Sequence, residues 1–133
     1  QADGQLFVLD GAHNQQKMSV LVQSFQEKYG ERKIPIVLAI KQDKDYEQVI
    51  NELLPIVSTA ICSEYSVQQD MPVQSVPAEV IAKRFKACGI SAQVTYSIED
   101  AINAAIKTNE PLILVTGSLY MIGSALRALD AKL

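Results

Sequence analysis

Three short stretches of the sequence carry residues able to do chemistry. The first, residues 7–17 (FVLDGAHNQQK), ends an apolar run with Asp10, Gly11, His13 and Asn14, and His13 is the sole histidine of the chain. A carboxylate at the end of a strand accepts two hydrogen bonds and suits the paired hydroxyls of a ribose. Gly11 permits close backbone approach, and the first N–H groups of the helix that follows are free to meet an anion. His13 adds a group whose ordinary pKa, about 6.5, suits proton transfer. The same residues also read as plain structure: Asp10 or Asn14 caps the helix, and a single loop histidine is a surface or core group.

The second stretch, residues 39–48 (AIKQDKDYEQ), sets Lys44 between Asp43 and Asp45 at a helix start. Asp45 is the expected cap. A lysine is unfavourable at the positive end of a helix, so Lys44 points to a ligand carboxylate or phosphate; the alternative is a lysine solvated on the rim beside its acidic neighbours. The third, residues 112–123 (LILVTGSLYMIG), places Gly117 and Ser118 in a strand-to-helix turn whose hydroxyl and N–H groups suit a carboxylate or phosphate, with Ser118 as simple N-cap the other reading. The turn lacks the second glycine of a G-x-S-x-G elbow, and the chain has no Walker A or G-x-G-x-x-G motif.

Apolar runs of strand character at residues 6–9, 34–40, 59–62, 93–96 and 112–116 separate amphipathic helical patterns. The helix stripes are Met18, Leu21, Val22 and Phe25, ending near Gly30; Tyr46, Ile50, Leu53 and Leu54; Ala78, Ile81, Phe85 and Cys88, opening near Pro77 and ending at Gly89; Ile98, Ala101, Ile102, Ala105 and Ile106, with Ser97 and Asp100 at capping-box spacing; and Ile122, Ala125, Leu126 and Leu129. This alternation predicts an α/β domain: a Rossmann-like, doubly wound, mostly parallel sheet of about five or six strands with helices on both faces. Right-handed crossovers then bring all strand C-termini to one edge, where open α/β sheets bind ligands. Residues 10–14, 41–45, 63–65, 97 and 116–120 are expected there. Residues 63–77 (SEYSVQQDMPVQSVP) form the longest irregular stretch and a candidate binding loop on the same edge.

At 133 residues the chain is the size of one domain, and its 48% hydrophobic content is that of a globular protein. A formal charge of −3 argues against nucleic acid or an anionic membrane as main partner. Cys62 and Cys88 stand apart in apolar surroundings without CxxC spacing, which reads as reduced core thiols in a cytoplasmic protein with no metal-ligand set. The absent initiator methionine, with a strand beginning almost at once, suggests a piece of a longer chain.

The motifs LDGAHN, KQDKDY and LVTGSLYMIG, in that order and each at a strand end, resemble the C-terminal domain of folylpolyglutamate synthase and dihydrofolate synthase, within the Mur ligase superfamily. The likeness covers nearly the whole chain. It implies that residues 1–133 are a glutamate-ligase domain normally joined to an N-terminal ATPase domain of the same chain. The implied reaction is ATP-dependent amide formation: a folate or dihydropteroate carboxyl becomes an acyl phosphate, which the glutamate amine attacks. By the resemblance, Asp10, His13 and Asn14 bind the nucleotide, while His13, Lys44 and Ser118 bind the glutamate. His13 stands where the two sites meet and is the candidate for proton transfer. ATP and Mg²⁺ are the implied cofactors, the metal held mainly by the absent domain. Two departures stand out: Gln15 replaces the usual proline of the first motif, and Ala78 and Glu79 follow Pro77 where the family tends to have arginine. The alternatives are a phosphorylated receiver domain, disfavoured because the third strand ends in AICSEYS, and a nucleotide-sensing or interaction domain without ligase activity.

Overall fold

The computed structural model describes residues 4–67 and 73–131. Its elements run β1 (Leu6–Asp10), α1 (Gln15–Tyr29), β2 (Ile34–Leu38), α2 (Tyr46–Leu53), β3 (Val57–Cys62), β4 (Ser66–Val67), β5 (Val73–Gln74), α3 (Ala78–Ala87), β6 (Ser91–Val94), α4 (Ile98–Lys107), β7 (Leu112–Thr116) and α5 (Leu119–Asp130). The main sheet has five strands in the order β1-β7-β2-β3-β6, every pairing parallel. The α/β class and the doubly wound plan are therefore as the sequence predicts.

The sheet is covered on both faces because β2 is apolar throughout and β7 is apolar up to Thr116. Ile34, Ile36, Leu38, Leu112 and Leu114 pack with Met18, Val22, Phe25, Ile50, Ile81 and Phe85 of α1, α2 and α3. The alternate residues Val37, Ala39, Ile113 and Val115 pack with Ile98, Ile102, Met121 and Ala125 of α4 and α5. Burying one such Ile or Leu contributes about 1.5–3 kcal/mol, which is why β2 and β7 carry no polar residue before Thr116. The edge strands β1 and β6 are only partly buried.

Several local expectations need correction. β6 begins two residues earlier and ends at Val94, because its pairing follows β3 from Thr59↔Ser91 to Cys62↔Val94 and β3 itself ends there; Tyr96 is exposed. Leu126 is exposed, and α5 buries Met121 and Ala128 with Ala125 and Leu129, since a small face lets the helix lie close to the sheet. Cys62 is fully buried, but Cys88, at the end of α3, is only half-buried. The stretch 63–77 is not wholly irregular: β4 and β5 form a small antiparallel pair, while residues 68–72 lie outside the described residues. No helix of the described residues is long and apolar enough to cross a membrane.

Candidate functional site

β1, β2 and β3 lead into helices on one face, whereas β6 and β7 lead into helices on the other. Since β7 lies between β1 and β2, its chain leaves the sheet in the direction opposite to both neighbours. Such a reversal opens a crevice at the strand C-termini. The three motifs sit around this one crevice.

At the end of β1, Asp10 Oδ1 accepts the Ala12 N–H at 2.9 Å, curling the loop back on itself. The His13 ring meets the Gly11 carbonyl through Nδ1 at 3.0 Å; a carbonyl only accepts, so Nδ1 is the donor of this contact and Nε2 is the nitrogen not used in it. Asn14 Oδ1 caps α1 by accepting the Lys17 N–H at 2.8 Å. The Ala12 carbonyl accepts the Gly117 N–H at 3.0 Å, tying this loop to the turn after β7.

At the end of β2, Asp45 caps α2 through the Gln48 N–H, as the sequence suggests. Asp43 pairs instead with Lys41, Nζ to Oδ2 at 3.3 Å. The Lys44 N–H donates to the Lys41 carbonyl at 3.1 Å, a tight turn that turns both lysines toward the crevice wall. Lys44 is half-buried, not solvated on an outer rim.

At the end of β7, Gly117 has φ 111, and a Cβ there would stand 2.4 Å from the Ala39 carbonyl oxygen, so only glycine fits. Ser118 is buried; its hydroxyl accepts the Tyr120 N–H at 3.1 Å and lies 2.9 Å from the Tyr65 hydroxyl. Ser118 is thus the N-cap of α5 and a wall of the crevice at once. Tyr65 stacks on Tyr120, their ring centroids 6.0 Å apart. Burial raises the Tyr65 phenol above its ordinary pKa although the Ser118 hydrogen bond pulls it down, so it meets Ser118 as a neutral group.

Two cavities result. One of about 210 Å³ is lined by His13, Lys41, Lys44, Ser118, Leu119 and Tyr120. Its neighbour of about 570 Å³ is lined by Asp10, Gly11, His13, Lys17, Val20 and Leu119, among others. His13 and Leu119 line both. The residues singled out from sequence are therefore together, with Asp10 in the larger cavity, Lys44 and Ser118 in the smaller, and His13 between them. Asn14, whose side-chain oxygen is engaged in the cap, lines neither. Sequence reasoning brought Lys41 and Tyr65 to this edge but gave them no role; the lysine three residues before Lys44 was the signal for the first. A further cavity of about 470 Å³ opens at the other reversal, between β3 and β6, with Glu64, Tyr65, Tyr96, Glu99 and Arg127 on its walls.

Fold and crevice define a doubly wound α/β domain with a crevice at a topological switch point, where sheets of this kind bind ligands. The particular family follows from comparison: the family model described as "Dihydrofolate synthetase, C-terminal domain" matches residues 2–128, and the chain belongs to that family. It is 25% identical to the dihydrofolate synthetase of Saccharomyces cerevisiae over 134 aligned positions, covering 95% of this chain and 31% of that protein. The crystal structure of a bifunctional folylpolyglutamate synthase/dihydrofolate synthase from Yersinia pestis, complexed with AMPPNP and Mn ion, superposes with a TM-score of 0.80 at 21% identity, over 97% of this chain and 30% of that one. A structure of such a bifunctional enzyme with Mn, AMPPNP and L-glutamate bound gives a TM-score of 0.78 at 20% identity, over 98% of this chain and 30% of that one. The chain thus spans about a third of the length of its relatives.

Proposed function

We propose that this chain is the C-terminal domain of an ATP-dependent ligase that joins glutamate to the carboxyl group of a folate or dihydropteroate. The observation that carries the reading is the clustering of His13, Lys44 and Ser118, from two different strand ends and the turn after a third helix-bearing strand, around one amino-acid-sized cavity that shares His13 with the cavity holding Asp10. Family membership and the ligands bound in the similar structures support it.

In this reading Asp10, with Oδ1 fixed by Ala12, offers its second oxygen to a ribose, and the apolar Val20 and Leu119 with Lys17 flank the rest of the nucleotide. Asn14 contributes through its amide N–H, its oxygen being held by the cap. ATP supplies the phosphoryl group that turns the acceptor carboxylate into an acyl phosphate, which the glutamate amine attacks with loss of phosphate. Lys44 and Ser118 hold the glutamate, Lys44 by charge and Ser118 by hydrogen bonding. His13, its Nδ1 engaged by the Gly11 carbonyl, binds at the junction and accepts through Nε2 the proton the amine loses. The domain supplies no nucleophile; orienting two reactants is worth an effective molarity on the order of 10⁵ M or more in well-aligned cases. Mg²⁺ is held mainly by the N-terminal ATPase domain in this reading. A cytoplasmic location fits the two free thiols.

The test is ADP formation by the full-length parent protein. It should require both glutamate and a folate or dihydropteroate acceptor, and the 133-residue chain alone should turn over no ATP. Nucleotide binding by the parent without glutamate-dependent ADP release would instead mark a sensing domain.

A further inference from the structure

We propose that Lys41 is a specificity-determining residue that makes the smaller cavity selective for a dicarboxylic amino acid, each lysine of the Lys41–Lys44 turn holding one carboxylate. The inference rests on the glutamate-ligase reading above and deepens it.

Three observations carry it. Lys41 and Lys44 line the same cavity of about 210 Å³, small enough for an amino acid and too small for a nucleotide. Their relative position is built in: the Lys44 N–H closes the turn on the Lys41 carbonyl, the Gln42 N–H donates to the Gln74 carbonyl at 2.9 Å, and Lys41 bridges Ser75 in antiparallel fashion. Of the other polar groups on the wall, His13 is shared with the neighbouring cavity, and Ser118 is a neutral hydroxyl already engaged by the Tyr120 N–H and Tyr65, and so is a poor sole partner for a second negative charge.

Lys41 also has a resident partner, Asp43, at 3.3 Å. A ligand with two carboxylates can replace Asp43 and satisfy both ammonium groups. A ligand with one leaves Lys41 with Asp43 and gains nothing from it. Selectivity then arises from the second charge pair, which a neutral amide of the same shape cannot make.

The test is steady-state kinetics of the full-length parent protein carrying Lys41→Met, which keeps most of the apolar stem and removes the charge. With glutamate varied, KM should rise about tenfold or more with kcat within about twofold. The preference for glutamate over one of its two monoamides, glutamine or isoglutamine, should shrink by about the same factor, identifying the carboxylate that Lys41 holds. Lys41→Arg should recover most of the preference, which a merely misfolded variant would not. An unchanged glutamate KM, or both preferences intact, in Lys41→Met overturns the inference while leaving the ligase reading in place. A wild-type parent that incorporates no glutamate overturns both.

Discussion

The hydroxyls of Ser118 and Tyr65 lie 2.9 Å apart, joining the turn after β7 to the segment after β3 across the end of β2. Through this contact the hairpin segment braces a buried wall of the smaller cavity. Tyr65→Phe keeps the stack on Tyr120 and removes only the hydrogen bond. It should lower unfolding free energy by about 1 kcal/mol in urea titration and raise the parent's glutamate KM a few-fold, without altering its KM for ATP.

Two glycines of the crevice should respond differently to alanine. At Gly117 the new Cβ meets the Ala39 backbone and Leu38 in a positive-φ conformation, so Gly117→Ala should cost about 2–4 kcal/mol by denaturant titration. At Gly11 the Cβ meets the end of the Leu119 side chain, which is 65% exposed and free to swing away. Gly11→Ala should cost less than about 1 kcal/mol in stability yet weaken ligand binding, because Leu119 lines both cavities.

Asn14 separates cap from ligand contact. Asn14→Ala should cost about 1 kcal/mol through loss of the Lys17 cap. Asn14→Asp keeps the cap oxygen and removes the amide donor, so it should retain stability and raise the parent's KM for ATP. An unchanged KM for ATP in Asn14→Asp would confine the residue to capping.

Burial pushes the Cys62 thiol up to about 12, so it stays protonated and inert at neutral pH. Iodoacetamide should therefore modify Cys88 and spare Cys62 until the chain unfolds. Because the folded pKa is raised, this group favours the unfolded state only above its ordinary value near 9: stability should be flat in this respect below that pH and fall towards pH 12, by at most about 1.4 kcal/mol per pH unit.

The parallel sheet was legible because β2 is apolar throughout, β7 is apolar up to Thr116, and the helices between them keep a helical period. The meeting of the candidate residues at one edge was legible because they lie in the turns after strands, and strand ends of a doubly wound sheet share an edge. What escaped was set by tertiary contacts. The start of β6 depends on its register with β3, and the exposure of Leu126 on how closely the small residues of α5 seat the helix. The Asp43–Lys41 pair and the Tyr65–Ser118 contact join groups whose partners no spacing rule names. Asn14 shows the converse: one residue satisfied both the capping and the ligand readings in sequence, and the structure displays its cap.

The central claim is that the turns after β1, β2 and β7 form one glutamate-holding pocket. It is tested most directly by the glutamate KM of the full-length parent carrying Lys44→Ala or Ser118→Ala. A charge-assisted contact predicts a rise of about tenfold or more for Lys44→Ala and a smaller rise for Ser118→Ala, with the KM for ATP within about twofold of wild type. An unchanged glutamate KM in both variants would contradict the account.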